Sequence, residues 1–305
     1  MAARTGIAAQ VGIALETTWG TEVTVGTFIP LVSEGLARTE DHTISNAIRV
    51  GRYVLGSEQW NGGVIEVGGP LEFELDNKNV RVLFKCMFGA ETTNSPYTYT
   101  PDDLTGDSMT VQIGRPATSG TVHPFTYAGV KVNTWEISAS VGEMVTLSLD
   151  VIAKSESTST ALATASYTAS SLPFKFTGAT LTIAGSAVNT VREMSLSGNN
   201  QLARRQFLGT QTTAEPFPSD LYEYTGEVVT DFESLTAYNR FVTGTEAALV
   251  MTFTRAASTI VITCNVKFNG ATPTVEGKDV LAQSLPFMCV GSTTDASAIT
   301  AVYTP

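Results

Sequence analysis

The hexapeptide Leu71-Glu72-Phe73-Glu74-Leu75-Asp76 decides the fold. Every odd position is apolar and every even one acidic, the signature of a strand with one buried and one wet face. The same period of two runs through Val145-Thr146-Leu147-Ser148-Leu149-Asp150-Val151 and through parts of 179–183, 249–253 and 260–268. Gly and Pro punctuate these runs at turn-like spacing, and the 45 Thr residues suit half-buried pleated surfaces. Two segments read as short helices: 79–88, closed by Gly89 as a C-cap, and 235–242, ending just before Thr243-Gly244. The expected class is mainly β.

Around that pattern the composition is unusual. The chain has 305 residues, enough for two domains or one large β fold. Charged residues make up 15%, against about 25% in ordinary proteins. Acids outnumber bases by 29 to 18, for a net charge of −11. Such a surface repels phosphate, which argues against proteins that grip nucleic acid. Cys86, Cys264 and Cys289 are too few and too scattered for a disulfide framework or a zinc cluster, and read as buried small hydrophobes. The first twenty residues carry no long apolar stretch of the signal-peptide kind, and no run approaches the ~18 apolar residues of a bilayer span. Synthesis in a cytoplasm and use as a soluble or assembled protein is the expectation.

The segment 155–172, Ser/Thr/Ala-rich, reads as a linker between parts 1–154 and 173–305. The two parts share an order of features. Asn46, Arg52, Leu55 and Gly56 can be laid over Asn199, Arg205, Leu208 and Gly209. Glu66-Val67-Gly68-Gly69 then faces Glu223-Tyr224-Thr225-Gly226, and Glu74-Leu75-Asp76 faces Asp231-Phe232-Glu233. Each part continues with its helix and then a strand ending in Arg, at Arg115 and Arg255. A duplicated β domain is the reading; chance likeness between Thr- and Gly-rich strands is the alternative.

Chemistry is hard to find. His42 and His123 have no Cys or His partner at ligand spacing, and neither lies in a nucleophile motif. No G-x-S-x-G, Walker loop or G-x-G-x-x-G occurs. Asp102-Asp103 and Asp107 lack the spacing of a calcium loop. Trp19, Trp60 and Trp135 are too dispersed for a sugar platform. No catalytic residue, metal or cofactor is expected. The loops say more. The stretch 37–63 carries Arg49, Arg52, Tyr53 and Leu55 among other apolar residues, and its counterpart 195–216 carries Arg204, Arg205, Phe207 and Leu208. Basic and apolar residues on long loops of a base-poor chain suggest inter-subunit docking arms; the alternative is that they cap the ends of their own domain.

Glu16-Thr17-Thr18-Trp19-Gly20-Thr21, Phe28-Ile29-Pro30, Ser33-Glu34-Gly35-Leu36 and the 44–52 stretch resemble the opening of major tail tube proteins of long-tailed (siphovirus-type) bacteriophages. The acidic strand, the helix to Gly89 and the strands over 125–153 continue the likeness. The resemblance implies a tail-tube-like β-sandwich or barrel domain with a short flanking helix, and with the duplication read above two such domains stand in tandem. It also implies self-association into stacked rings, as a homotrimeric pseudo-hexamer if the duplication is real and otherwise as a homohexamer. Tape measure, tail terminator and distal tail proteins become the expected partners, and the virion tail the expected location. Double-stranded DNA is then transient cargo ejected through the lumen, not a sequence-specific ligand.

On that reading the acid excess has a task, since a carboxylate-lined wall offers phosphates no local well. Glu72, Glu74, Asp76, Asp231 and Glu233 are the expected lumen side chains, with an outward solvent face as the alternative. A receptor- or carbohydrate-binding β-sandwich is the competing function. It would show an aromatic-lined concave site.

Overall fold

The computed structural model describes residues 5–273, 275, 278, 280–292 and 297–305. Strand accounts for 54% and helix for 9%, so the mainly β class holds. The first half opens with β1 (Gln10–Leu15), β2 (Thr27–Ile29), β3 (Leu31–Glu34) and β4 (Ala37–Ile44), then the long β5 (Trp60–Glu74). After α1 (Val80–Phe88) come β6 (Gly89–Glu91), β7 (Tyr97–Pro101), β8 (Met109–Pro116), β9 (Val122–Ser140), β10 (Thr146–Ala153) and β11 (Ser155–Ser157). The second half begins with β12 (Ala179–Ile183), β13 (Ser186–Val188), β14 (Val191–Asn199) and a small hairpin of β15 (Leu202–Arg205) and β16 (Ala214–Pro218). It continues with β17 (Glu223–Asp231), α2 (Thr236–Thr243), β18 (Ala247–Arg255), β19 (Ser258–Phe268), β20 (Ala282–Cys289) and β21 (Ile299–Thr304).

The alternation over 71–76 holds up to Leu75. Leu71, Phe73 and Leu75 are buried while Glu72 and Glu74 face solvent. The next acid departs from it. Asp76 is 5% exposed and accepts hydrogen bonds from the backbone N–H groups of Lys78 and Asn79, at 2.7 Å each. It thereby satisfies donors at the start of α1 that no helix bond can reach. Val80, Leu83, Phe84, Met87 and Phe88 recur at helical spacing and are all buried, which fixes the face α1 turns to the core. Gly89, at φ +91°, ends it. By contrast α2 buries none of its residues.

Strand pairing follows one scheme twice. In the first half β1 pairs with β2 and β8, β8 with β9, β9 with β10, β10 with β5, and β5 with β3 and β4. In the second half β12 pairs with β13 and β18, β18 with β19, β19 with β20, β20 with β17, and β17 with β14. Even the irregularities coincide. A bulge separates the pairs Leu31↔Phe73 and Ser33↔Glu72, and another separates Val191↔Thr230 and Glu193↔Val229. Ala37↔Gly68 and Thr39↔Glu66 then stand where Ser197↔Thr225 and Asn199↔Glu223 stand. Asn199 therefore occupies the place of Thr39, and the likeness of 46–56 to 199–209 is one of loop content, not of position. All these strand pairs are antiparallel, and among the described residues none of the sheets closes into a barrel.

The halves are not beads on a string. The end of β9 pairs with β14 over seven positions, from Thr134↔Asn199 to Ser140↔Glu193, and β21 pairs with β7. One core cluster runs through both halves. At the junction the indole of Trp135, 2% exposed, lies over Gly198; a Cβ there would sit 2.3 Å from the ring carbon Cε2. Its ring centroid is 5.9 Å from that of Tyr224. A buried cation adds a polar tie. Lys131 Nζ donates to the Leu104 carbonyl at 2.7 Å and pairs with Glu215 at 2.6 Å. The Ser/Thr/Ala-rich segment is laid along the first half: Ser155, Glu156 and Ser157 pair with β9, and Gln112 bonds the backbone of Ala161 and Ala163.

Candidate functional site

Because β9 bridges to β14, one sheet surface crosses the whole chain in the order β5, β10, β9, β14, β17, β20. Directly opposed residues share a face, so the solvent side can be written as rows. One row runs Glu74, Thr146, Ser138, Ser195, Glu227, Pro286. The next runs Glu72, Ser148, Glu136, Ser197, Thr225, Met288, and a third Pro70, Asp150, Thr134, Asn199, Glu223. A fourth, shorter row holds Ser140, Glu193, Val229 and Ser284. Carboxylates and hydroxyls dominate these rows, and from β5 to β20 none of the residues named in them is Lys or Arg; beyond β20 the second row continues to Lys267 of β19, which opposes Met288 and pairs with Glu246. The intervening residues, among them Phe73, Leu147, Ile137 and Leu196, are buried on the other face.

Of the five carboxylates expected on such a face, Glu72 and Glu74 lie in its rows. Asp231 lies at its margin, across from Ala282, and pairs with Arg192 at 2.5 Å. Glu233 is exposed on the loop before α2. Asp76 is not on the surface: it is buried at the start of α1, because a short acceptor at that place is drawn to the free helix N–H groups. Sequence reasoning passed over Glu136, Asp150, Glu193, Glu223 and Glu227. Asp150 and Glu136 each sit in an alternating run that could have nominated them; which strands would share the face was a matter of long-range pairing.

A shallow depression of about 450 Å³ lies on this face, bordered by Glu136, Asp150 and Glu223. Its one aromatic neighbour, Trp135, is 2% exposed and belongs to the core. The aromatic platform that carbohydrate recognition would use is absent from it.

The β4–β5 hairpin projects beyond the sheet. All of β4 is exposed, and beyond it Ile48, Val50 and Tyr53 are each at least 98% exposed. Val54 and Leu55 are exposed as well. Arg49 and Arg52 both pair with Glu58 of the same loop, and the Arg52 hydrogen bond holds the Glu58 carboxyl below its ordinary range. At the base of this arm Ile65 N–H donates to the Gln211 carbonyl at 2.9 Å, so the loop after β15 runs alongside. There Phe207 and Leu208 are exposed. Arg204 turns inward and donates to the Val67 carbonyl, whereas Arg205 stays exposed, lying along its own hairpin, where it donates to the Glu215 carbonyl and stacks on Phe217 at 4.1 Å.

Among the described residues no group of His, Cys, Asp and Glu is placed to hold a metal ion. All three cysteines are buried, and burial pushes the Cys86 thiol up to about 12, away from nucleophilic use. No helix among the described residues is long and apolar enough to cross a membrane.

The most extended features of the described surface are therefore a broad polar sheet face and an apolar arm beside it. The sequence model of the phage tail tube protein family matches residues 6–289, nearly the whole chain. The chain belongs to that family, and is a structural component of a phage tail. No curated protein matches it.

Proposed function

We propose that the chain self-assembles into rings that stack into a hollow tail tube, with the acidic sheet face turned to the lumen. The observation that carries this reading is the run of rows rich in Ser, Thr, Asp and Glu across a face shared by both halves, whose nearest cations, Arg192 and Lys267, lie at its margins and are each paired with a carboxylate. A Lys on such a wall would offer each passing phosphate a well of ~1 kcal/mol at 4 Å even in water, and a ring of them would hold the DNA. Carboxylates raise the energy of every phosphate alike, while hydroxyls keep the wall wet.

Each chain supplies two tube units, 1–154 and 173–305, joined by 155–172, and three chains make a pseudo-sixfold ring. The repeated pairing scheme and the coincident bulges support the duplication. The exposed apolar arm over 45–58 docks on the next ring, and the tube's ends meet further tail proteins: tape measure, terminator and distal tail protein. Its surfaces do the work, with no catalytic step and no cofactor. The protein is made in the host cytoplasm and ends in the virion.

Negative-stain microscopy of concentrated protein tests the reading. Stacked rings with an open centre and threefold symmetry are expected. A monodisperse globule at all concentrations, or a map with Glu72, Glu136 and Glu193 on the outer wall, overturns it.

A further inference from the structure

The β9–β14 junction joins the first half to the second inside one chain, and one edge of the same sheet is left open. Strands β3 and β4 hold the place in the first half that β14 holds in the second, as the matching bulges and pairs establish. β14 is flanked on both sides, by β17 and β9. Among the described residues β3 and β4 are flanked only by β5. An unpaired edge of that length is a template for another strand.

The missing strand has a counterpart at the other end of the chain. Lys131-Val132-Asn133 of β9 matches Lys267-Phe268-Asn269: Lys131 opposes Ile152 and Val132 opposes Val151, while Lys267 opposes Met288 and Phe268 opposes Phe287. Lys131 stands fifteen residues before Thr146, where β10 begins, and Lys267 fifteen before Ala282, where β20 begins. The stretch after Asn269 therefore corresponds to the part of β9 that grips β14.

We propose that this stretch, through 270–273, pairs with the β3–β4 edge of a second copy of the chain, in the register of β9 on β14. Copying Glu136↔Ser197 and Thr134↔Asn199 gives Thr272 opposite Ala37 and Gly270 opposite Thr39 across the interface. Sizes are complementary at the position between. Inside the chain a large Trp135 faces Gly198; across the interface a small Ala271, 1% exposed, faces the long Arg38. Three such contacts, alternating with three internal junctions, close the ring head to tail. The proposal rests on the ring reading and adds the strand pair that closes it.

Cysteine pairs test it. Directly opposed residues on antiparallel strands have Cα atoms ~4.5–5.5 Å apart, within disulfide range, and Ala37 and Thr272 are both exposed. The double variant A37C/T272C, assembled and then oxidised, is expected to give covalent dimers and trimers on a non-reducing gel. The peptides around residues 37 and 272 should be linked between chains. E136C/S197C should link within one chain under the same conditions, and A37C/A271C should not link, because a one-residue slip sends side chains to opposite faces. If the double variant misfolds, single-cysteine A37C and T272C chains mixed before assembly should give cross-linked dimers. Rings seen by microscopy without a 37–272 link, while E136C/S197C links, overturn the proposed junction and leave the ring reading standing. Absence of any oligomer overturns both.

Discussion

Gly198 is the residue on which the union of the two halves turns. The indole of Trp135 occupies the space that any side chain at 198 would need, so Gly198→Val should cost ~1–3 kcal/mol by overpacking. Trp135→Ala, which removes the same contact by creating a cavity, should cost ~3–5 kcal/mol. Urea unfolding midpoints check both. Glu91 sets a pH response. Burial opposes its ionisation, but hydrogen bonds from Arg81 and Tyr99 outweigh it and hold the carboxyl below its usual range. A depressed folded-state value means that the stabilisation is present above the unfolded value of ~4.3 and is lost as pH falls through the folded one. Glu91→Gln should lower stability at pH 7 and flatten its fall between roughly pH 5 and 3, as read from denaturant midpoints across that range. Asp76 shows how a single residue escapes a correct pattern. The period of two predicts its parity, but the helix that follows offers it unpaired N–H groups.

Among the elements, the β15–β16 hairpin is held to the first half by the ion pair of Lys131 and Glu215. Breaking one partner of a buried pair leaves a bare charge, so Glu215→Ala should cost ~3–5 kcal/mol, whereas replacing both, as Lys131→Met with Glu215→Leu, should recover most of it; thermal melts distinguish the two. The arm over 45–58 behaves oppositely. Its apolar side chains touch little of their own chain, so cleavage there by a protease should be fast in the free protein and suppressed in assembled tubes. The strands over 71–76, 145–151, 179–183, 249–253 and 260–268, both helices and their closing glycines were legible in the sequence because each rests on local pattern: alternation, helical spacing, a glycine C-cap. The partnership of β9 with β14 was not: the 19-residue β9 breaks its regularity at Gly129, at φ +67°, but a glycine marks a bend and not which strand the chain pairs with beyond it. For the same reason Glu72 and Glu74 could be nominated from one strand, whereas Glu193 and Glu227 join their face only through pairing.

For the whole molecule, charge on the continuous face is the property to perturb. Glu136→Lys together with Glu193→Lys should leave the fold intact, both side chains being exposed, and in the proposed tube should slow DNA release. Each new ammonium gives a phosphate at 4 Å ~1 kcal/mol, about a fivefold gain in local occupancy. Release from phage particles followed with a DNA-binding dye measures it. The hexapeptide at 71–76 thus forecast a wet acidic strand, and the pairing enlarges it to a surface spanning both halves of the chain. The inequality of the two loops has a further consequence. β4 and β5 extend to residues 44 and 60, whereas β14 stops at Asn199 and hands over to a separate small hairpin. In the proposed ring, long and short projections alternate around the axis. Whatever seats on its end therefore meets three equivalent footholds, not six, and a sixfold neighbour must distort or leave half of its contacts idle.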